Sequence, residues 1–303
     1  MEAAELTLRA ERRRIGEDVV KVVLAACALI SVATTVGIVV ALFAPAFEFF
    51  REVPLADFLT GTTWAPLFEP PSFGVLQLVS GTINVAVIAS LVAMPLGLGA
   101  AIYLSEYASP RTRGILKPAL ELLAGIPTIV FGYFALTFVT PLLRDLGIQV
   151  DIFNTLSAGL VMGVMLLPTV ASLSEDAMGA VPRDLRDGAY ALGATKVQVA
   201  TRIVVPAAVS GIVASFVLAI SRAVGETMIV LVAMGQQPNL TFDPREAAEA
   251  MTAFIAATGA GDVPTGSLEY KTIFAVGATL FVLTLVMNVV AIRLVRRYRE
   301  VYE

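Results

Sequence analysis

The chain has 303 residues, 57% of them hydrophobic and 15% charged, with a mean hydropathy of +0.82; this balance excludes an ordinary water-soluble domain and points to an integral membrane protein. A single cysteine, Cys27, and no histidine exclude disulfides, Cys/His metal centres, Cys–His nucleophilic pairs and histidine acid/base chemistry. The formal net charge of −4 does not imply nucleic acid; the placement of Lys and Arg carries the information.

Crossing the hydrocarbon core takes about 20 mostly apolar residues as a helix, and the backbone must satisfy its own hydrogen bonds there. Six such blocks fit, predicting an all-α membrane protein of six transmembrane helices. Residues 1–21 form a basic segment with Arg9, Arg12, Arg13, Arg14 and Lys21. The uncharged run over 22–47 is longer than the apolar core of a signal peptide, about 7–15 residues, and is expected to be the first transmembrane helix. Residues 48–72, mixed in charge and rich in Pro, Gly and aromatics, read as an extracytoplasmic loop that serves as a solvated connector, with Trp64 as an interface anchor.

Residues 73–105 carry no charge and form helix two, whose small residues from Ser80 to Ser90 allow close helix approach. Pro95, Gly97 and Gly99 are expected to bend or loosen it. The run Ser109 to Lys117 returns the chain to a basic cytoplasmic loop. Helix three is expected over about 118–142, broken or kinked near its start by Gly125-Ile126-Pro127-Thr128, and helix four over about 153–174.

The polar, glycine-punctuated stretch 187–206 interrupts the apolar blocks and is flanked by Arg183, Arg186, Lys196 and Arg202. Its small residues Gly188, Ala189, Gly193 and Ala194 suit a short helix docked in a groove, with Val197, Val199 and Ile203 free to pack into a partner. Gly188 and Gly193 have the spacing of a phosphate-loop pair, but Ala194-Thr195 stand where Lys and Ser/Thr would be needed. No nucleotide site is expected.

Helix five is expected from about Ile203 into the 220s. Within it Arg222 and Glu226 stand four residues apart, predicted to share one helix face. An arginine at the bilayer centre costs about 2.5–3.5 kcal/mol on insertion scales, so it generally faces a partner or a watery path. A guanidinium also matches a tetrahedral oxyanion in a bidentate way that lysine does not. Either the two side chains only pair with each other and fix packing, or Arg222 attracts an anion while Glu226 limits how tightly it binds.

In the outside segment 236–270, Asp243-Pro244-Arg245-Glu246 can cap a short surface helix with Met251, Phe254, Ile255 and Thr258 on one face. Helix six is expected over about 272–292, followed by the basic tail 293–303. Of 21 Lys and Arg, the inside segments hold 16, the outside segments hold Arg51, Arg144, Arg245 and Lys271, and Arg222 remains. Both termini are therefore assigned to the cytoplasm.

Several stretches together resemble the permease subunits of phosphate-specific ABC importers, a binding-protein-dependent family, and in particular their C-type subunit. They are Phe58 to Trp64, Pro95 to Tyr107, Ala124 to Gly132, the coupling positions Asp187, Gly188, Ala189, Gly193, Ile203, Val205 and Pro206, and Ser221 to Met228. Asp187 stands for the family's usual Glu, and Gly188 for its first Ala. The resemblance implies a type I importer permease fold in a bacterial or archaeal cytoplasmic membrane, contacting membrane lipid. It also implies a paralogous A-type permease, two ATPase subunits that bind ATP and Mg, and an extracytoplasmic phosphate-binding protein. The cytoplasmic coupling loop maps to 183–202, with Ala194 among its ATPase-coupling residues, and the membrane-embedded pair maps to Arg222 and Glu226. A permease of the same architecture for sulfate, molybdate or a phosphonate is the alternative. An ion-coupled secondary transporter would need inverted repeats or several buried acids, and an intramembrane enzyme a nucleophile–base cluster; neither pattern is visible.

Overall fold

The computed structural model describes residues 15–297; Arg9, Arg12, Arg13, Arg14 and Arg299 lie outside the described residues. The first helix, α1 (Ile15–Glu52), is apolar on every side, and its most apolar stretch buries nothing within the chain. A helix that is hydrophobic all round suits lipid contact. Only its outer half is packed, where Phe43 meets Phe281 edge-on at 5.7 Å.

The loop expected over 48–72 is more structured than a connector. A short helix α2 (Leu55–Thr60) precedes a two-stranded hairpin, β1 (Trp64–Ala65) and β2 (Ser72–Phe73), with Trp64 paired to Phe73. Trp64 is buried, edge-on to Phe58 and Phe254, so it joins an aromatic core and is not an interface anchor. Phe49 and Phe58 belong to the same cluster, which gives the loop an interior of its own.

The core of the bundle is α3 (Leu76–Ile102) laid against α6 (Thr155–Gly179). Gly159 and Gly163, one turn apart on α6, face Ile88 and Val92. A Cβ on either glycine would come within 2.6 Å of the facing side chain, so small residues set this close approach. Gly97 does the same against Val170, at 2.7 Å. Pro95 and Gly97 therefore do not break α3, which runs on through a wide π turn to Tyr107; neighbouring helices compensate for the missing backbone donor. Asn154, fully buried, starts α6 by accepting the Ser157 N–H at 2.7 Å.

The break in helix three is sharper than a kink. Residues 110–124, split between a basic loop and the start of a span in the sequence reading, form one amphipathic helix α4 (Pro110–Ala124), begun by Ser109 and by proline in the first turn. After Gly125-Ile126-Pro127 the chain turns by 88° into α5 (Thr128–Asp145).

Helix five is also divided. The cytoplasmic helices α7 (Arg183–Ala191) and α8 (Lys196–Ala207) come first, and a 70° bend at Ala208 leads into α9 (Val209–Val224). Ile203 to Ala207 thus belong to the cytoplasmic side of the bend. A wide turn α10 (Val230–Met234), a buried helix α11 (Met251–Ala260) and a long helix α12 (Leu268–Arg297) complete the chain. Among the described residues four helices are long and apolar enough to span a membrane, and counting each bent pair as one span gives six.

The expected capping of α11 is not formed. Asp243 pairs with Arg245 at 2.6 Å in a turn, which holds its carboxyl down at about 2, and the helix starts only at Met251. Met251, Thr252, Ala253 and Phe254 are buried, so α11 is not a surface helix. Its sequence is apolar all round, which suits an inserted element.

Candidate functional site

Arg222 and Glu226 do not share a helix face. Helix α9 ends at Gly225, and residues 225–227 form a break before helical turns resume at Met228. Arg222, in the last turn of α9, is exposed and donates from Nη1 to Thr169 Oγ1 at 3.2 Å, while Nη2 lies 4.0 Å from Met165 Sδ. No acid among the described residues pairs with it. Glu226 is 9% exposed and accepts the N–H groups of Met228 at 3.1 Å and Ile229 at 3.3 Å. Its carboxyl thus serves the free donors of the next helical segment.

Each charge complements its helix end: a cation where carbonyls gather and an anion where N–H groups do. Thr252 ties the break to α11 by donating to Glu226 O at 2.6 Å. Mutual pairing is therefore replaced by separate satisfaction of Glu226, with Arg222 left to a hydroxyl and a sulfur. An exposed guanidinium with no acid partner in a spanning helix suits an aqueous path or an anion.

At the cytoplasmic end, α7 and α8 form a tight reversal. Gly193 has φ +83°, donates to Tyr190 O at 2.9 Å, and is followed by Ala194 N donating to Ala189 O at 3.1 Å. This pair of bonds closes α7 with a left-handed residue that glycine adopts without strain. Thr195 and Gln198 then cap α8 reciprocally, at 3.4 Å and 2.8 Å. Leu192, at the tip, is 91% exposed and Val197 60%.

The expected coupling residues fall around this reversal. Asp187, Gly188, Gly193 and Pro206 are exposed, whereas Ala189, Ala194 and Ile203 are half-buried. Nothing stands within 4 Å of a Cβ placed on Gly188 or Gly193, so both face outward. Val199 is a correction: it is fully buried in the chain's own core and offers nothing to a partner.

Two charged clusters at this end escaped the sequence reading. Glu175, fully buried near the end of α6, accepts from Arg113 and from Lys117, the latter at 2.7 Å, and Lys117 also reaches Asp176 at 2.9 Å. Arg186 pairs with Glu106 at 3.0 Å and donates to Met178 O and Val181 O at 2.8 Å and 2.6 Å. Lys196 lies over the Tyr107 ring at 5.0 Å. These contacts fasten α4, α7 and α8 to the ends of α3 and α6. The available signal was Glu175-Asp176 closing a long uncharged run, but such residues look like the ordinary polar end of a helix.

The sequence profile described as binding-protein-dependent transport system inner membrane component matches residues 93–300. A probable ABC transporter permease protein, YqgH of Bacillus subtilis, is 34% identical over 90% of this chain and 89% of its own. The phosphate transport system permease protein PstC of Mesorhizobium japonicum is 33% identical over 84% of this chain and 82% of its own. Among solved structures, a bacterial ABC transporter that imports the acidic polysaccharide alginate superposes with a TM-score of 0.64. It has 17% identity and covers 95% of this chain and 100% of its own.

Proposed function

We propose that this chain, which belongs to the family of binding-protein-dependent transport system inner membrane components, is the permease subunit of an ATP-driven phosphate importer. The observation that carries the substrate reading is Arg222: a guanidinium in a spanning helix, exposed at a helix break, with no acid partner among the described residues. Such a group provides charge and a planar fork of donors for an oxyanion. Glu226, within the break itself, sets an acidic side chain next to that guanidinium's helix end, which opposes overly tight binding and favours release. The names of the PstC relatives support phosphate among the oxyanions.

In this reading Arg222 lines a path completed by a second, related permease. The α7–α8 reversal meets a separate cytoplasmic ATPase, with Leu192 and Val197 as apolar contacts and Asp187, Gly188, Ala189, Gly193, Ala194, Ile203 and Pro206 shaping the surface. ATP and Mg belong to that partner. The half-buried Arg186–Glu106 pair gives movement of α7 a direct hold on the end of α3.

The test is ATP-dependent uptake of labelled phosphate into vesicles containing this chain, its partner permease, the ATPase and the binding protein, with sulfate and molybdate as competitors. Uptake that needs every component and yields only to excess phosphate is expected. Uptake by this chain alone under a proton gradient would overturn the importer reading, and stronger competition by sulfate or molybdate would overturn the substrate. A second expectation concerns Gly193→Val. A branched side chain at φ +83° forces the reversal open, so less ATPase should co-purify with the membrane subunits, and normal co-purification and uptake would remove the coupling role.

A further inference from the structure

A cavity of about 350 Å³ lies at the extracytoplasmic end, away from Arg222. Trp64 and Phe68 of the hairpin and Phe254 and Thr258 of α11 line it, together with the buried Glu249 and the exposed Asp262. Two of these groups lack partners. Trp64 is 4% exposed, yet its enclosed Nε1–H finds no acceptor. Glu249 is 5% exposed, and among the described residues no hydrogen bond or ion pair reaches its carboxyl. Burial alone pushes that carboxyl up to about 7, and it stands outside the spanning helices.

The backbone holds Glu249 firmly in place. Ala248 N donates to Met234 O at 3.3 Å and Met251 N to Thr82 Oγ1 at 3.0 Å. A Cβ on Gly81 would lie 2.3 Å from the Glu249 carbonyl, so the segment is pressed against α3. A carboxyl fixed in a buried position without a partner is costly. A cation beside it would remove most of that cost.

The surroundings favour a cation. Segments 48–72, 144–154 and 236–271 hold eleven acidic residues against four basic ones. An anion entering the cavity would meet both Asp262 and Glu249, whereas a cation would be drawn in by the first and neutralised by the second. Trp64, Phe68 and Phe254 place aromatic rings in the lining, the residue type that holds guanidinium and ammonium groups.

We propose that this cavity receives an arginine or lysine side chain of the extracytoplasmic substrate-binding partner, which docks on this face by inserting a basic residue between Glu249 and Asp262. The proposal rests on the importer reading above. Insertion stabilises the Glu249 carboxylate, so below about pH 7 docking must expel a proton. Asp262 is the only other titratable residue in the lining; the hairpin and residues 236–238 contribute none. Affinity for the partner therefore rises as pH rises through about 7, by roughly tenfold between pH 6 and pH 8 if one proton is lost.

The test titrates purified, phosphate-loaded binding protein onto the complete importer in lipid nanodiscs at pH 6, 7 and 8, with assembly checked by recovery of all subunits. Wild type should show the rise with pH. Glu249→Gln should bind about tenfold more weakly at pH 8 and without pH dependence, and Asp262→Asn should also weaken binding. If Glu249→Gln does not assemble, Asp262→Asn decides the matter, since Asp262 is exposed and lines the same cavity. Variants that bind as tightly as wild type at every pH would overturn the proposal. So would variants that bind normally but lose the stimulation of ATP hydrolysis by the binding protein, because the cavity would then serve a moving part of the importer itself. A wild-type importer that neither binds the loaded protein nor responds to it would overturn the importer reading instead.

Discussion

Phosphate uptake falls about tenfold to a hundredfold in Arg222→Gln, while the complex is recovered in normal yield. A hydrogen bond to a charged group contributes about 1.5–3 kcal/mol, and each 1.4 kcal/mol is about tenfold. Assembly is spared because Arg222 supports little of the fold: its contacts are one hydroxyl and one sulfur on α6. Lysine at this position keeps the charge without the planar fork and should retain part of the activity. Glu226→Gln is the matching control, since an amide oxygen can still accept from Met228 and Ile229 and so preserve the break. The measurement is initial uptake rate in vesicles with matched subunit content, and a normal rate in Arg222→Gln would remove this residue from the path.

The double substitution Arg113→Ala with Lys117→Ala destabilises the membrane complex by several kcal/mol, about 3–5 if the loss resembles other broken buried pairs. Glu175 is fully buried and these two cations are its only charged partners among the described residues, so removing them strands a carboxylate. Glu175→Gln costs less. Arg113 and Lys117 are 46% and 27% exposed at their side chains, can turn to water, and Lys117 retains Asp176. Thermal unfolding of the purified complex, compared across the two variants, checks the asymmetry. Equal losses would mean that the cluster acts through packing rather than charge.

Much of the bundle was legible because lipid imposes a simple code: long uncharged runs become helices, and Lys and Arg gather on one side. The 22–47 run, the Gly125–Thr128 break and the small residues of helix two were read on that basis, whereas Gly159 and Gly163 of helix four, which set the closest approach, were not singled out. The failures occurred where tertiary contacts override local pattern. Trp64 looked like an anchor because nothing in sequence shows that Phe58 and Phe254, nearly two hundred residues apart, close around it. Arg222 and Glu226 looked like one face because spacing assumes an unbroken helix. The helix instead stops at Gly225, and Thr252 takes up the Glu226 carbonyl just beyond it. The Glu175 cluster joins residues about sixty positions apart, a pairing that periodicity cannot reveal.

Among the described residues there are four wide π turns: two lie within helices, at Ala135–Val139 and Ala200–Val204, and two end them, at Tyr103–Tyr107 and Val230–Met234. One contains Glu106, the partner of Arg186; one leads out of the α7–α8 reversal; one follows the Glu226 break. Each of the two inner turns stores one residue more than an α-helix needs, and is therefore a unit of slack in an otherwise stiff rod. Moving that slack along a helix turns whatever lies between its old and new positions by about 100°, the angle of one residue, while only neighbouring hydrogen bonds are exchanged. The bundle can thus rotate short lengths of helix in place, like links swivelling in a chain, without sliding whole spans through the bilayer.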